Sequence, residues 1–321
     1  VTLLLTTTGQ VAGAVSPDVA KSNAVGVAEV KGTMATIKLL DGILTLEGKT
    51  TYSEAAAAKL NGCLVTVSSY KRDYLTLSKV NGKGASTALN LTTNRMGTKE
   101  LSAGARFFEQ VGNGRLVEID RSDITITSIP ANKITYVGYD WAGRVDKLVL
   151  NDVTGDRYDY GIIHYQPAGY QETPGNPDGN GEYKNGEISV TNGSFPKGMP
   201  PYVVGSVDGA KTNRMGGVAG SLDQLDGKNR MAAFMPLNEA TGIRRAQFDT
   251  DAMLLTTNSM VIPISDKVEC YNKTTGDWFK PGEDGDHKAA LNLALAFSDD
   301  ITVYYDRSPE EGGKVRIVVV E

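Results

Sequence analysis

The chain is a succession of short runs of β-branched and aromatic residues, separated by turns rich in glycine, asparagine and aspartate. Residues 301–306 and 314–320 are the last two runs, and in the second of them apolar residues alternate with Lys314 and Arg316. A period of two on both sides of a Pro/Glu/Gly segment predicts a β-hairpin. The same pattern at residues 134–150, and in a looser form at residues 1–15, predicts two more hairpins.

Two segments have a helical pattern instead. Residues 53–60 begin with a serine suited to an N-cap, continue with an acidic first turn and alanines, and are followed by Asn61 and Gly62, which can end a helix. Asp286 can cap a second helix that continues to residue 297, in which Leu291 and Leu295 share one face. The other runs predict strands, and Asp41 followed by Gly42 predicts a tight hairpin turn.

The order of motifs in the first half of the chain recurs in the second half. The motif Leu-Thr-Thr-Asn-x-Met occurs at residues 91–96 and 255–260, an offset of 164, and the hairpins that begin at residues 134 and 301 differ by 167. A nearly constant offset across separate motifs is typical of a duplicated domain. The predicted fold class is therefore mainly β, with two tandem β-barrel or β-sandwich-like domains and one or two short helices.

The predicted domain boundaries follow from a change in composition. Residues 166–186 contain several prolines and glycines and almost no aliphatic residues, which indicates a linker or a long excursion. We predict a first β domain at residues 1–168, a linker at 169–182 and a second β domain at 183–321. The opening hairpin at residues 1–15 either packs on the first domain or is the remnant of a preceding unit.

Composition narrows the classes of function. The chain has 321 residues, of which 40% are hydrophobic, 22% are charged and 36 are glycine, as in a soluble, turn-rich globular protein. With 33 basic and 38 acidic residues, it has no basic patch for nucleic acid or anionic lipid. It also lacks an apolar run of about 18 residues, so we predict no membrane insertion. A first segment without the features of a signal peptide predicts that the chain is a fragment of a longer one.

No residue pattern predicts a catalytic, cofactor-binding or metal-binding site. Cys63 and Cys270 belong to no metal motif and are interpreted as two small buried residues, with a bridge between them as the alternative. Asp178, Asn180 and Glu182 alternate as in the start of a Ca²⁺ loop, but the later bidentate glutamate is missing, which favours a flexible linker.

The two histidines and the aromatic residues of the hairpins are the remaining candidates for a functional site. His287 follows a cluster of acids, where a solvated helix cap is favoured over a cation site or an acid–base group, and His164 is interpreted as structural. Tyr139, Trp141 and Tyr305 lie on the predicted hairpins and are candidates for ligand contact, since aromatic rings stack on sugars. Packing on half-buried strands is the alternative role for them.

Three parts of the chain resemble a known family. Residues 296–320, residues 268–272 together with Trp278 and Phe279, and residues 149–161 resemble the extracellular repeat region of large bacterial surface proteins that carry S-layer homology (SLH) domains. The resemblance is close in the two hairpin regions and loose over most of the chain. It implies an exported, cell-surface or cell-wall location, and binding of wall polysaccharide only through domains outside this chain.

The sequence therefore predicts a non-enzymatic structural, spacer or display module of an exported, S-layer-associated bacterial protein. A glycan-binding or adhesion module that uses the hairpin aromatics is the first alternative. A glycan-active hydrolase is the second, because two carboxylates at a suitable separation in a cleft suffice for that chemistry. No cofactor is predicted under any of these readings.

Overall fold

The computed structural model describes residues 2–15, 24–40, 45–80, 85–140, 142–172, 181–225 and 227–321. The chain divides into two compact units, which are unit 1 (Val1–Asp123 and Thr127–Asn151) and unit 2 (Ile124–Ile126 and Asp152–Glu321). In its described residues, each unit contains a closed five-stranded barrel and a seven-stranded sheet. The predicted mainly β fold class is confirmed.

In the residues of unit 1 that the structure describes there are strands, one short α-helix and two single turns of 3-10 helix, at Arg121–Asp123 and Ala131–Lys133. The helix, α1, spans Glu54–Ala58. The strands are β1 (Thr2–Leu5), β2 (Val11–Val15), β3 (Ala24–Lys31), β4 (Met34–Leu39), β5 (Thr45–Thr50), β6 (Leu64–Lys71), β7 (Tyr74–Lys79), β8 (Leu89–Asn90), β9 (Arg95–Met96), β10 (Lys99–Gln110), β11 (Val117–Ile119), β12 (Ser128–Ile129), β13 (Ile134–Tyr139) and β14 (Val145–Asn151).

The barrel of unit 1 closes in the order β3-β4-β5-β7-β6. Strands β5 and β7 pair in parallel, and the other described pairs of this barrel are antiparallel. In β5 every second residue is buried, which is the alternation that a strand with one face in a core requires. This strand order, with a helix after the third strand, is shared with the OB-fold class of small barrels, a class that does not define a function by itself.

The sheet of unit 1 has the order β12-β8-β9-β10-β14-β13, and β11 pairs with the C-terminal part of β10. Its central strands β10 and β14 are parallel, while β13 and β14 form the antiparallel hairpin that the sequence predicted at residues 134–150. A hydrophobic cluster joins this sheet to the barrel. Its buried members are Val25, Leu40, Leu64, Phe108, Leu116 and Val149.

Unit 2 has the same kinds of element, with 3-10 turns at Arg245–Gln247, Glu283–Gly285 and Pro309–Glu311. Its α-helix, α2, spans His287–Phe297. The strands are β15 (Asp159–Gln166), β16 (Gly169–Glu172), β17 (Gly181–Lys184), β18 (Gly186–Thr191), β19 (Tyr202–Val204), β20 (Met215–Leu225), β21 (Lys228–Pro236), β22 (Asn238–Ile243), β23 (Phe248–Asp249), β24 (Leu254–Thr256), β25 (Val261–Asn272), β26 (Asp277–Phe279), β27 (Ile301–Tyr305) and β28 (Val315–Val320).

The barrel of unit 2 closes in the order β15-β18-β19-β21-β20, so its five strands follow the same path as those of unit 1. Here too the third and fifth strands, β19 and β21, are parallel. The sheet has the order β22-β27-β28-β25-β24-β23 and again has a parallel central pair, β25 and β28. One face of the sheet packs on α2, where Leu291, Ala294 and Leu295 contact buried residues such as Val303 and Val318.

The two sheets agree in register as well as in strand order. In unit 1, a step of five positions along β10, from Leu101 to Arg106, lies opposite a step of two along β14, from Val145 to Lys147. In unit 2, a step of five along β25, from Ile264 to Glu269, lies opposite a step of two along β28, from Val315 to Ile317. The same irregularity in both central pairs identifies equivalent positions. By this register Phe108 corresponds to Tyr271, Asp146 to Arg316, Val149 to Val319, Gly138 to Tyr304 and Arg106 to Glu269.

The predicted local elements agree with the structure except near the predicted linker. Both helices and the three hairpins are present. Instead of lying in a linker, β16 pairs with β17, and β15, which the prediction placed in the first domain, is the first barrel strand of unit 2. The two units divide after Asn151 rather than at residues 169–182. Proline- and glycine-rich composition is common to hairpin turns and linkers, so it could not distinguish them. The turn at Asp41 and Gly42 and residues 173–180 lie outside the described residues.

The N-caps of the two helices differ, which allows the contribution of a capping side chain to stability to be measured. The Asp286 side chain accepts a hydrogen bond from the backbone N–H of Ala289 (3.2 Å), whereas Ser53, at the N-cap of α1, makes no side-chain capping bond. We expect Asp286→Ala to lower the free energy of unfolding by about 1 kcal/mol, since a helix N–H loses its partner. Ser53→Ala is the matched control and should change it by no more than a few tenths of a kcal/mol. Chemical denaturation measures both, and equal losses would contradict the assignment.

Candidate functional site

A buried arginine is the centre of the charged residues of unit 2. Arg316 lies in β28 and is 1% exposed. Its Nε and Nη2 donate to Asp306 Oδ2 at 3.0 and 2.8 Å, and Nη2 also donates to the carbonyl oxygen of Thr154. Its Nη1 donates to Asp156 and, at 3.1 Å, to Ser265 Oγ. A guanidinium has five N–H groups, and each of them has an acceptor here, so the cation is fully paired.

The neighbours of Arg316 are themselves held in place. The second oxygen of Asp306 accepts from the backbone N–H groups of Lys314 (2.8 Å) and Arg307 (2.9 Å). Lys314 Nζ donates to Asp156 at 2.8 Å. Burial opposes ionisation of Asp156, but Arg316 and Lys314 outweigh it and hold the pKa of this carboxyl below its ordinary value. We call Arg316, Lys314, Asp156 and Asp306 the arginine network; it connects the sheet hairpin to the segment that enters the barrel.

A small cavity lies beside this network, and we call it the acidic cavity. Its volume is about 100 Å³. The described residues that line it are Asp156, Tyr158, Asp159, Tyr160, Asn192, Ser194, Phe195, Lys267, Glu269, His287 and Arg316. They come from the first barrel strand β15 and the segment before it, the loop after β18, the sheet strands β25 and β28, and the start of α2. Segments more than a hundred residues apart in sequence therefore meet here.

Glu269 is the most perturbed acid in the cavity. Its Oε2 accepts from the backbone N–H of Gly193 at 2.9 Å, and Ser194 Oγ lies 3.5 Å from Oε1. Burial raises its pKa from 4.5 to about 7, and Asp159 adds to the rise while the two hydrogen bonds oppose it. Burial also raises the pKa of Asp159, against the opposing effect of Arg157 and Lys267. The cavity thus contains two carboxyl groups whose pKa values are raised by burial.

His287 is not the solvated cap that the sequence predicted. Its side chain is 13% exposed, and Nδ1 lies 4.0 Å from Glu269 Oε1 and 3.0 Å from the carbonyl oxygen of Val268. The prediction was wrong because β25 packs directly against the first turn of α2, which the local sequence does not indicate. Asp286 has the predicted capping role.

The chemistry of the acidic cavity is limited by its size. A protonated carboxyl beside a second carboxyl is an arrangement used in glycoside hydrolysis. Ligand pockets, however, usually enclose roughly 300–1,000 Å³, and this cavity has about 100 Å³, too little for a sugar ring. In the described part of the chain, no group of three or more His, Cys, Asp or Glu side chains is arranged to hold a metal ion.

The raised pKa of Glu269 predicts how stability depends on pH. The unfolded chain releases the Glu269 proton near pH 4.5 and the folded chain near pH 7. The folded state therefore loses stability as the pH rises from about 4.5 to 7, by roughly 3 kcal/mol. Glu269→Gln keeps an acceptor for Gly193 and removes the titration. We expect the variant to match the wild type near pH 4 and to be the more stable protein near pH 8.

Chemical denaturation across this pH range tests the expectation. Glu310→Gln is the control, because the side chain of Glu310 is exposed. The difference in unfolding free energy between wild type and Glu269→Gln should grow between about pH 4.5 and 7 and stay constant above it. A difference that does not change with pH would show that Glu269 titrates alike in the folded and unfolded chains.

A larger opening in unit 2 lies on the face of the sheet opposite α2, and we call it the tyrosine groove. Its volume is about 670 Å³. The sheet contributes Tyr271, Lys273, Thr302, Tyr304, Val319 and Glu321 to it, at alternate positions of β25, β27 and β28 or just beyond their ends. The barrel contributes Ile162, Met215 and Phe234, and the remaining lining residues are Gly209, Asn213, Arg214, Pro236, Leu237, Glu239 and Thr241.

The sequence-predicted contact residues lie elsewhere. Tyr305 is half-buried and packs against the core beneath α2. Tyr139 is 48% exposed in unit 1, where Lys99 Nζ lies 5.8 Å from the centre of its ring. Trp141 lies outside the described residues. Tyr304, the neighbour of Tyr305, is the hairpin tyrosine that reaches the groove.

The remaining candidates have structural contacts. His164 is exposed, and its Nε2 lies 2.6 Å from Thr191 Oγ1 across the pair of strands β15 and β18. Both cysteines are free thiols, so the alternative of a bridge between them is wrong. Cys270 is buried in the core beneath α2, as predicted, while Cys63 is partly exposed.

The fold and these sites define a mainly β protein built from barrel-and-sheet units. No known family model, curated protein or solved structure matches the chain. Among the residues that the structure describes, no helix has the length and apolar character needed to cross a membrane.

Proposed function

We propose that this chain is a non-enzymatic structural, spacer or display module of an exported bacterial cell-surface protein, associated with an S-layer. The arginine network carries the proposal. Arg316 donates five hydrogen bonds to four acceptor atoms, and its acidic partners are bound to backbone N–H groups or cations. These charged side chains therefore pair with one another inside the unit. They connect the sheet to the segment that enters the barrel, rather than facing a substrate.

Duplication of one barrel-and-sheet unit is part of the proposal. Three independent features support it, namely the nearly constant sequence offset, the identical strand order and the shared irregularity of register. A fourth is a pair of glycines on the first barrel strand. A Cβ on Gly26 would lie 2.4 Å from Lys38 O, and one on Gly161 would lie 2.3 Å from Thr191 O. Repetition of a rigid unit is how proteins commonly extend a surface or spacer.

The proposed location rests on the resemblance to SLH-carrying surface proteins. In those proteins the wall polysaccharide is bound by the SLH domains, so anchoring would come from domains outside this chain. An antibody raised against the chain should label intact cells of the bacterium that encodes it. Labelling that appears only after the cells are lysed would contradict the proposed location.

The non-enzymatic part of the proposal is tested separately. The chain should release no soluble sugars from purified bacterial wall polysaccharides, at pH values on both sides of the Glu269 pKa of about 7. Glu269→Gln is the matched variant. Turnover by the wild type that this variant lacks would establish the hydrolase alternative and overturn the proposal.

A further inference from the structure

We propose that the tyrosine groove of unit 2 binds an uncharged polysaccharide chain. This inference goes beyond the proposed structural role and concerns a different face of the unit from the arginine network. It depends on a comparison between equivalent positions in the two units, on the chemistry of the groove lining and on its balance of charge.

In unit 1 the equivalent face is closed by apolar packing. Val149 on β14 lies between Phe108 on β10 and Tyr136 on β13. These three residues pack in the hydrophobic cluster with Leu64 and Val27, which are paired on neighbouring barrel strands. The barrel and the sheet of unit 1 therefore meet through close apolar contact at this position.

In unit 2 the same positions line the groove. Val319 on β28 lies between Tyr271 on β25 and Thr302 on β27. The corresponding barrel pair is Ile162 and Met215. All five line the opening of about 670 Å³. The replacement of a tyrosine by a threonine at position 302 removes a ring that fills this space in unit 1.

A second exchange adds an aromatic ring to the groove. The position that is Gly138 in unit 1 is Tyr304 in unit 2. Tyr304 is half-buried in the groove lining. Tyr271 is held by the ring of Trp278, whose centre lies 4.9 Å away. The groove thus has tyrosines on two strands of its floor, on either side of Val319.

The lining suits a sugar chain. Sugar rings present C–H groups that pack on aromatic faces, and hydroxyls that both donate and accept hydrogen bonds. The two tyrosines supply the faces, Asn213 and Arg214 supply donors, and Glu239 supplies an acceptor. The volume lies within the roughly 300–1,000 Å³ that is usual for ligand pockets.

The charge of the lining favours an uncharged ligand. Arg214 and Lys273 are balanced by Glu239 and Glu321, and Lys273 is paired with Glu321. A groove with balanced charge has no net field to attract a polyanion such as nucleic acid or an acidic polysaccharide. An uncharged glycan loses less solvation free energy than a charged chain when it enters such a site, and its hydroxyls can pair with the polar groups of the lining.

The test is a glycan array of neutral and acidic microbial polysaccharides, followed by calorimetry of the full chain with the best neutral oligosaccharide, with heparin and with a capped neutral hexapeptide. We expect the neutral oligosaccharide to bind with a dissociation constant on the order of 0.1–1 mM. Tyr304→Ala should weaken it about tenfold through the lost ring contact. Thr302→Tyr, which introduces the residue of unit 1, should abolish binding while the circular dichroism spectrum is unchanged.

Controls separate the groove from other surfaces. Tyr139→Ala removes an exposed tyrosine of unit 1 and should leave the affinity unchanged. Arg214→Ala changes an exposed residue of the groove. If Tyr304→Ala does not fold, the affinity of Arg214→Ala for the neutral oligosaccharide still tests whether the groove is the binding site. The proposal is overturned if no neutral glycan binds, if heparin or the peptide binds more tightly, or if Thr302→Tyr folds and binds as the wild type does.

Discussion

Replacing Arg316 by methionine is expected to lower the free energy of unfolding of unit 2 by about 3–5 kcal/mol, because it leaves the buried carboxylate of Asp306 without a cationic partner and leaves Asp156 with Lys314 alone. Asp306 and Asp156 would lose the cation that they share. Methionine fills much of the volume of the arginine stem, so the effect measures the lost charge and hydrogen bonds more than a cavity. Guanidinium denaturation measures it. The chain contains two tryptophans, Trp141 and Trp278, and in a Trp141→Phe background the fluorescence of Trp278 reports on unit 2.

Two further variants make this expectation specific. Lys228→Met removes an ion pair with Glu187 in the same unit whose side chains are 54% and 35% exposed, and it should cost no more than about 1 kcal/mol. Adding Asp306→Asn to Arg316→Met removes one unpaired carboxylate but keeps an oxygen for the N–H groups of Lys314 and Arg307. The double variant should therefore be less destabilised than the sum of the single ones. A loss for Arg316→Met no larger than that for Lys228→Met would falsify the importance of the network.

Gly161→Ala is expected to destabilise unit 2 by about 3 kcal/mol or more, at the upper end of the cost of overpacking. A Cβ at this position would lie 2.3 Å from the carbonyl oxygen of Thr191 and 2.6 Å from Val190 Cγ1. Because the closer atom belongs to the backbone of the neighbouring strand β18, no side-chain rotation relieves the clash. The barrel must widen or the ladder between β15 and β18 must break.

The matched control for this expectation is Gly205→Ala. Gly205 belongs to the same unit, and a Cβ there would have no atom within 4 Å. Its alanine variant should unfold at nearly the same denaturant concentration as the wild type, again followed by Trp278. Gly26→Ala tests the equivalent position of unit 1, where a Cβ would lie 2.4 Å from Lys38 O. Tolerance of alanine at both Gly26 and Gly161 would contradict the close backbone approach in the two barrels.

Local sequence patterns predicted those strands and helices whose turn, cap and hydrophobic residues all lie within one short segment. The hairpin of β27 and β28 and the helix capped by Asp286 follow from residues that are neighbours in sequence. The linker prediction differed from the structure because strand pairing joins β15 to β20, some 50 residues later, which composition does not reveal. The correspondence between the two halves was visible in the sequence only through its nearly constant offsets.

The arginine network and the acidic cavity could not be predicted from local sequence patterns. Arg316 alternates with apolar residues, a pattern that usually places a charge in solvent, yet every residue of β28 is buried. Its position opposite the irregularity between Tyr304 and Tyr305 turns it towards Asp156, 160 residues away. No short motif connects these segments. The glutamate of the acidic cavity likewise meets its hydrogen-bond donor, Gly193, only through the fold.

The sequence by itself determined the kind of structure, namely β-rich units with glycine turns and two short helices, because turn chemistry and hydrophobic period act between near neighbours. Only the tertiary structure decided which charges are buried, how the strands close into barrels and where the sheet of unit 2 stays open beside Tyr271 and Tyr304. Those outcomes depend on contacts between distant segments. Burial and desolvation, which raise the pKa of Glu269 and require Arg316 to be fully paired, exist only once those segments have met.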